Sequence, residues 1–272
     1  MPIIADQHIH SSFSFDSKTE MKDMIESAYK KGLKHIAFTE HNDFDYPVSK
    51  EYPKGSWDLN VDSYLYDLLM ARDEFYGKIT IGFGIEVGMQ TGCFSQNNIL
   101  TNSQQFDFII GSVHLVNGVD TYDKAFYEGR SAKEALNEYF DTVYANIQKF
   151  KNFDVLGHLD YLTRKLPNNE ADYNPNEYMD KIDAILKYLV EHEKGLELNT
   201  QALVRGLKYP NPWPEVLKRY KELGGEIITV GSDAHTPDGI GGGFDKAAEF
   251  LQANGFNYYC MFVNRSPLFQ SI

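Results

Sequence analysis

The chain has 272 residues, a length that suits one or two domains and that a single α/β barrel commonly reaches. Its net charge of −13 argues against nucleic-acid binding, but it does not exclude an anionic substrate at a site that holds divalent cations. Two cysteines, Cys93 and Cys260, argue against a disulfide framework or a thiolate zinc site, and the lack of a signal peptide or of 18 consecutive apolar residues predicts a cytoplasmic protein without a membrane span.

Short apolar runs alternate with longer amphipathic stretches along the whole chain. The runs predicted to form strands cover residues 3–10, 35–41, 79–88, 106–114, 153–160, 195–200 and 226–235. The predicted helices cover residues 18–31, 62–76, 131–150, 176–193 and 213–223. Ser17 and Glu20 form a capping-box pattern for the first helix, while Gly32 and Gly224 are typical of helix ends.

This alternation predicts an α/β fold with parallel strands and crossover helices. Seven strands favour a barrel with one unit fewer than the usual eight, formed by a single domain over residues 1–272. An eighth run at 256–264 ends in no reactive residue and is expected to lie outside the ring. An open doubly wound sheet is the alternative, but it would place ligands mainly at one switch point.

Nearly every predicted strand ends in a residue that can bind a metal ion. Six of the eight histidines stand at these ends: His8, His10, His41, His114, His158 and His235. Of the other two, His35 precedes a strand and His192 lies in a charged helix tail. Neither is expected to bind metal. Because side chains alternate along a strand, His8 and His10 point the same way. The C-terminal ends of parallel barrel strands meet on one face, so these histidines are expected to converge there.

Three acidic residues join this set. Glu86 lies in an almost wholly apolar strand, where an unpaired carboxylate would be costly and a metal ion would remove the cost. Asp233 precedes His235 by two positions and shares its face, and Asp16 comes from the loop after the first strand. Asp6 and Glu40 point away from their neighbouring histidines and are weaker candidates.

Imidazole nitrogens and carboxylate oxygens without sulfur suit zinc, manganese or iron. Nine candidate ligands are too many for one ion, so the sequence predicts two or three divalent ions with Glu86 or Asp233 as a bridge.

Together these residues resemble the PHP (polymerase and histidinol phosphatase) family. Residues 6–10 (DQHIH), 39–42 (TEHN) and 231–235 (GSDAH) are similar to its first, second and last motifs, and Glu86, His114 and His158 match the motifs between them. The resemblance implies an α/β fold that is a distorted (β/α)7 barrel, with three metal ions at the C-terminal ends of the strands. It also implies three ligand sets: His8, His10, Glu86 and Asp233; Glu86, His114 and His158; and Asp16, His41 and His235. Many members have histidine in place of Asp16, which makes the third set the least typical.

Residues 157–165, 197–214 and 230–245 look most like the histidinol-phosphatase branch of the family. That resemblance implies hydrolysis of L-histidinol phosphate in histidine biosynthesis, with Arg164 and Arg205 on the phosphate. Asp233 would orient the attacking water, which the metal ions activate near neutral pH. Asn42 and Asp160 are further candidates for substrate binding, and the leaving alkoxide would be protonated by Asp160 or by a metal-bound water.

Three alternatives remain open at this point. Another PHP phosphoesterase could act on a nucleotide, on DNA or on another small phosphate ester, although basic clusters are lacking. An amidohydrolase-type barrel would share the first His-x-His but usually adds a bridging lysine, which no strand end supplies. A metal-structured binding module without catalysis is the third.

The segment 42–60 follows the second strand and is a candidate substrate lid. As a lid, its acidic and aromatic residues would meet the amine and the imidazole of histidinol phosphate: Asp43, Phe44, Asp45, Tyr46 and Trp57. The alternative is a solvated loop with a small aromatic cluster of its own.

Overall fold

A computed structural model describes residues 3–272, which form a nine-stranded sheet with helices between its strands. The strands are β1 (Ala5–Ile9), β2 (His35–Asn42), β3 (Thr80–Gly88), β4 (Phe108–Ser112), β5 (Leu115–Val116), β6 (Val119–Asp120), β7 (Val155–Leu156), β8 (Gly195–Asn199), β9 (Ile228–Gly231), β10 (Tyr258–Val263) and β11 (Ser266–Ser271). The helices are α1 (Met21–Lys30), α2 (Val61–Glu74), α3 (Phe94–Ser103), α4 (Ala132–Lys149), α5 (Met179–Glu191), α6 (Gln201–Val204), α7 (Pro214–Glu222) and α8 (Phe244–Ala253). The predicted α/β class is confirmed.

The order of strands in the large sheet is β1-β2-β3-β4-β7-β8-β9-β10-β11, and all neighbours up to β10 are parallel. The first and last of the seven predicted strands, β1 and β9, also meet. The His10 amide donates to the Ala234 carbonyl at 2.9 Å, and the Asp233 amide donates to the His8 carbonyl at 2.7 Å. The chain segments that carry the first and last predicted motifs are therefore hydrogen-bonded to each other.

All seven predicted strands are present. The fifth is the shortest, since β7 contains only Val155 and Leu156. The run at 256–264 forms β10, which pairs with β9 at one position and with β11 as an antiparallel hairpin. The small hairpin of β5 and β6 forms a separate two-stranded sheet that was not predicted.

Helix ends follow the predicted chemistry in two of three cases. Gly32 and Gly224 adopt positive φ angles of 85° and 90° directly after α1 and α7, as expected for C-terminal caps. The predicted capping box of α1 is wrong. Helix α1 begins at Met21, and the Ser17 hydroxyl donates instead to the carbonyl of His235, 3.0 Å away. Ser17 therefore ties the loop after β1 to the loop after β9.

The core lies on both sides of the parallel strands, as both faces are covered. Every residue of β2 is buried, including its polar members Thr39 and Glu40.

Cys93 and Cys260 are both buried free thiols. Within residues 3–272, no helix is long and apolar enough to cross a bilayer. The buried histidines and carboxylates described next lie at the carboxyl ends of the parallel strands.

Candidate metal centre

The carboxyl ends of the parallel strands bring the predicted ligands together. His8 and His10 come from β1 and its end, and His41 and Glu86 come from β2 and β3. Asp16 lies in the loop after β1, and the remaining ligands lie just beyond the ends of other strands: His114, His158, Asp233 and His235. Glu86 is at the centre and is buried. Its two oxygens lie close to nitrogens of five imidazoles: Oε2 is 3.2 Å from His8, 3.6 Å from His10 and 2.9 Å from His41, and Oε1 is 3.2 Å from His114 and 2.9 Å from His158.

Asp233 forms a second centre of contacts beside Glu86. Its Oδ1 atom is 3.5 Å from His10 Nε2, 3.8 Å from His8 Nε2 and 3.7 Å from His235 Nδ1. The backbone of Asp233 has a φ angle of 54°, in the left-handed region that few residues other than glycine adopt. The two hydrogen bonds between β1 and the loop after β9 hold it there, so the fold maintains an uncommon backbone at this position.

Asp16 contacts the outer edge of the cluster. Its Oδ2 atom lies 3.0 Å from His235 Nε2 and 3.7 Å from His41 Nε2. Its side chain is 39% exposed, whereas those of His8, His10 and Glu86 are fully buried. The structure thus brings all nine predicted ligands to one end of the sheet, with Asp16 the most accessible to solvent.

The buried atoms of this cluster fit divalent cations. Among residues 3–272, His8 Nε2, His10 Nε2 and Glu86 Oε2 have no hydrogen-bond partner, an arrangement that costs roughly 1–3 kcal/mol per group. Two ligands of one tetrahedral zinc ion lie about 3.3–3.6 Å apart, close to the separations found around Glu86 and Asp233. Three triads have ligand atoms within 4.8 Å of one another: His10, His41 and His235; His8, His10 and Asp233; and His41, Glu86 and His114.

The electrostatics of the cluster also favour cations. Burial by itself raises the pKa of Glu86, but the imidazoles of His8, His41 and His114 outweigh it and hold that pKa well below its usual range. The carboxylates act on the imidazoles in the same way. Burial lowers the pKa of His41, but the negative charges of Asp16 and Glu86 outweigh burial and raise that pKa to about 9. The carboxylates are thus ionised and require positive charge, which either protonated imidazoles or bound cations can supply.

Three histidines are oriented through their second ring nitrogen by groups to which the sequence analysis gave no such role. His8 Nδ1 donates to Glu197 Oε1 at 2.5 Å, and His114 Nδ1 donates to Asp43 Oδ1 at 2.9 Å. His10 Nδ1 is 3.0 Å from the Ser14 hydroxyl. Each contact directs Nε2 of the same ring toward Glu86 or Asp233. Glu197 sits in an apolar strand, the same cue that identified Glu86.

The weaker acidic candidates have other partners. Asp6 accepts hydrogen bonds from the amide and the hydroxyl of Ser232, and Glu40 accepts from the hydroxyls of Ser11 and Ser14. Within the described part of the chain, neither carboxylate forms an ion pair with the histidines of the cluster, as expected for side chains that point away from the neighbouring histidines on their strands. Both stabilise the loops that carry the ligands.

The two histidines that are not expected to bind metal lie away from the cluster. His35 is buried at the start of β2, the end opposite to His41. His192 stacks on Tyr188 just after α5, with ring centroids 3.9 Å apart.

A cavity of about 930 Å³ opens over the metal-binding cluster. Both predicted phosphate-binding arginines line it, together with Lys165. Arg205 is exposed, and its Nη1 atom is 3.4 Å from the Tyr122 hydroxyl. Arg164 is buried and donates to four acceptors: Asn211 Oδ1 at 2.8 Å, Gln201 Oε1 at 3.0 Å, Asp233 Oδ2 at 2.9 Å and Asn199 Oδ1 at 2.6 Å. The two arginines therefore differ strongly in freedom of movement.

The segment 42–60 forms one wall of the cavity with Tyr46, Tyr52 and Trp57. Tyr46 and Trp57 are stacked, with ring centroids 4.4 Å apart. The acidic residues on the cavity wall differ from those expected, because Glu51, Asp120 and Asp123 line it. Asp43 instead contacts His114, and Asp45 lies near the buried thiol of Cys93.

The remaining two candidates are buried beneath the cavity surface. Asn42 accepts the Leu59 amide at 3.0 Å and so joins the two ends of the segment 42–60. Asp160 accepts from Asn211 Nδ2 at 2.6 Å and from the Trp213 amide at 2.9 Å. Burial raises the pKa of Asp160 to about 6, against the opposing effect of its Asn211 hydrogen bond. Both residues contact groups that position the cavity wall, and among residues 3–272 neither lines the cavity itself.

The fold and the metal-binding cluster define a known class of protein. Residues 6–201 match the model of the PHP domain, so the chain belongs to the PHP family, and the expected resemblance is confirmed.

Relatives within this class carry a common name. The chain is 36% identical to a probable histidinol-phosphatase of Clostridium acetobutylicum, over 92% of this chain and 93% of that protein. It is 33% identical to a histidinol-phosphatase of Lactococcus lactis, over 94% of this chain and 93% of that protein. The crystal structure of histidinol phosphate phosphatase from Lactococcus lactis, complexed with zinc, L-histidinol and phosphate, has a TM-score of 0.89 at 31% identity and covers 97% of this chain and 98% of that one.

Proposed function

We propose that this chain is a metal-dependent phosphatase that hydrolyses L-histidinol phosphate to L-histidinol and inorganic phosphate. The observation that carries the proposal is the buried cluster of imidazole nitrogens and carboxylate oxygens around Glu86, which opens into a cavity lined by two arginines. The similarity to histidinol-phosphatases over more than nine-tenths of the chain supports the substrate.

Two or three divalent ions, namely zinc, manganese or iron, fit the nitrogen and oxygen donors of the cluster. The proposed ligand sets are His8, His10, Glu86 and Asp233; Glu86, His114 and His158; and Asp16, His41 and His235. When bound, such ions make water a nucleophile near neutral pH and offset the charge of the phosphate. The short contacts of Glu86 with five imidazoles support its role as the shared ligand.

Arg164 and Arg205 are proposed to bind the phosphate from the side facing the metal centre. Four of the five N–H groups of Arg164 are used by protein acceptors, which leaves one on Nη2 for a phosphate oxygen. Arg205 is exposed and can move toward the substrate. Arg164 would therefore supply a fixed charge, and Arg205 an adjustable bidentate contact.

Asp233 is proposed to orient the attacking water. Its Oδ2 atom accepts from Arg164 and from Asn199, so that Oδ1 is the atom directed at His8 and His10. Arg164 thus acts on Asp233 as well as on the substrate. Asp160 and Asn42 enter the proposal indirectly, since Asp160 holds Asn211 beside Arg164 and Asn42 closes the segment 42–60.

The cavity wall opposite the metal centre suits the organic end of the substrate. An ammonium group and an imidazole are recognised by carboxylates and by aromatic faces. Tyr46, Trp57 and Tyr52 supply the faces, and Asp120 and Glu51 supply the negative charge. The segment 42–60 is thus proposed as the cover that selects the substrate.

We also propose that the parallel strands close into a seven-stranded barrel within a single domain. The hydrogen bonds between the ends of β1 and β9 support closure, because they join the first and last of the seven predicted strands. Closure would place every strand end on one rim, where barrel active sites lie.

The decisive experiment measures phosphate release from L-histidinol phosphate, p-nitrophenyl phosphate and sugar phosphates, with zinc or manganese present. We expect kcat/KM for L-histidinol phosphate to exceed the others by as much as ~10⁴, because buried polar partners reject substrates that lack the matching groups. Equal turnover of the generic esters would contradict the histidinol assignment and favour another small phosphate ester.

A further inference from the structure

Strand β8 is the one strand of the seven whose end carries no predicted metal ligand. It nevertheless places a charged side chain beside the centre. Glu197 is 1% exposed, and its Oε1 atom accepts from His8 Nδ1 at 2.5 Å. Its Oε2 atom accepts the amide of His158 at 2.9 Å and Asn199 Nδ2 at 3.2 Å. One carboxylate thus contacts two of the ligand-bearing segments.

The local backbone leaves space for this pair. A Cβ atom on Gly231, in the neighbouring strand β9, would lie 2.3 Å from His8 Cβ and 2.7 Å from Glu197 Oε1. These distances are too short for non-bonded atoms, so any larger residue at this position would displace either His8 or the carboxylate. The sheet therefore accommodates the contact between Glu197 and His8 specifically.

The proposed function assigns His8 as a ligand through Nε2, and the inference rests on that assignment. A neutral imidazole carries one proton, and only the unprotonated nitrogen can bind a metal ion. An acceptor at Nδ1 keeps the proton on that side, and a charged acceptor also makes Nε2 more basic.

We propose that Glu197 is a positioning residue for the metal centre, which fixes the tautomer and orientation of His8 and strengthens its bond to zinc. Its action is indirect, because the carboxylate contacts the side of the imidazole opposite Nε2. The amide hydrogen bond to His158 links the same carboxylate to a second ligand.

The test titrates metal-free protein with zinc in competition with a chromophoric chelator. Glu197→Gln keeps the size of the side chain and can still accept a hydrogen bond, but removes the charge. We expect one class of zinc sites to weaken about 10–100-fold. Saturating zinc should restore much of kcat with little change in KM, a result that a purely structural defect would not give. Glu197→Asp, which retracts the charge by one methylene, provides a second variant if Glu197→Gln folds poorly.

A double-mutant cycle tests whether the effect passes through His8. In a His8→Ala background, Glu197→Gln should weaken zinc binding little further. Asp154→Asn is the matched control, because this buried carboxylate lies before β7, at the opposite end of the sheet, and pairs with Arg265. It should leave zinc affinity unchanged.

Wild-type zinc affinity in both Glu197 variants, or an undiminished effect in the His8→Ala background, would overturn the inference. The zinc titration uses no phosphate ester, so this failure is distinct from a wrong substrate. If the wild-type protein itself bound no zinc or manganese, the proposed function would fail instead.

Discussion

The two arginines of the cavity, Arg164 and Arg205, differ in how many hydrogen bonds they make with the protein. Arg164 holds Asp233 and is itself held by Asn199, Asn211 and Gln201, whereas Arg205 has one long contact with a tyrosine hydroxyl. Loss of a buried charged side chain also leaves the buried groups that it contacted without a hydrogen-bond partner, because water cannot reach them. Two arginines with the same proposed ligand should therefore give different defects.

Arg164→Ala should lower kcat/KM by an amount equivalent to about 2–5 kcal/mol and should also lower the melting temperature. Arg205→Ala should lower kcat/KM but leave the melting temperature near that of the wild type, because its side chain is exposed. Steady-state kinetics and thermal unfolding of both variants provide the measurement. Wild-type kinetics in both would exclude them as substrate residues.

His114 and His158 both contact Glu86, whereas His35 and His192 lie away from the centre. His114→Ala or His158→Ala should reduce turnover by several orders of magnitude, whereas His192→Ala should leave it nearly unchanged. Turnover and metal content per chain are the quantities to compare. Equal damage from His192→Ala would contradict the assignment of ligands.

His35 provides a prediction about pH rather than turnover. Burial lowers its pKa to about 4, from 6.5 in the unfolded chain. As pH falls below 6.5 the unfolded state takes up the proton first, so stability is complete above 6.5 and is lost progressively toward pH 4. The difference corresponds to roughly 3 kcal/mol. His35→Leu should flatten this part of the stability curve, measured by urea unfolding from pH 7 to pH 4, while His192→Ala should not.

Sequence reasoning was most effective where a residue type conflicted with its surroundings. The carboxylate of Glu86 in an apolar strand predicted a buried partner, and the structure surrounds it with imidazoles. Glu197 has the same pattern but was not selected, because its strand lacks a histidine at the end. The roles of Asp43 and Ser14 depend on loop geometry that residue spacing does not reveal.

At the scale of elements, alternation of apolar runs and amphipathic stretches identified the parallel strands. It did not identify α3, whose only buried residues are Asn97 and Thr101, so no apolar stripe marks it. The hairpin of β5 and β6 was also missed, because each strand has two residues. That hairpin contributes Asp120, one of the acids on the cavity wall.

The segment 42–60 and this hairpin meet where the Tyr46 hydroxyl donates to Asp120 Oδ2 at 2.6 Å. Trp57→Ala removes the ring stacked on Tyr46 and should loosen this wall. We expect kcat/KM for L-histidinol phosphate to fall about tenfold, which corresponds to ~1.4 kcal/mol, with a smaller effect on p-nitrophenyl phosphate. Tyr66→Ala is the control, since that ring is 65% exposed on α2. Equal losses for both esters would mean that the wall does not select the substrate.

At the scale of the whole molecule, the metal centre connects elements that are otherwise only neighbours in the sheet. Its proposed ligands come from six of the seven predicted strands or from the loops that follow them. Ions that bind only the folded chain stabilise it by about 2.7 kcal/mol when present at 100 times their dissociation constant. Cations should therefore determine the stability of the protein as well as its activity.

Removal of metal by a chelator should abolish phosphatase activity and lower the melting temperature by several degrees. Zinc or manganese should restore both. Glu86→Ala should cause the greatest loss of bound metal, because two of the proposed ligand sets share this residue. Calorimetry, activity and metal analysis of the same sample provide the measurement. Full activity after exhaustive demetallation would contradict the metal mechanism.

The meeting of β1 with the loop after β9 also has a consequence for synthesis of the chain. His8 and His10 are translated before their carboxylate partner Asp233, which lies 225 positions after His8. At ordinary rates of elongation this interval lasts roughly 10–45 s. During that time the backbone hydrogen bonds that join residues 8 and 10 to residues 233 and 234 cannot yet form. The strand that carries the first two proposed ligands therefore reaches its native surroundings only after the loop that follows β9 has been made.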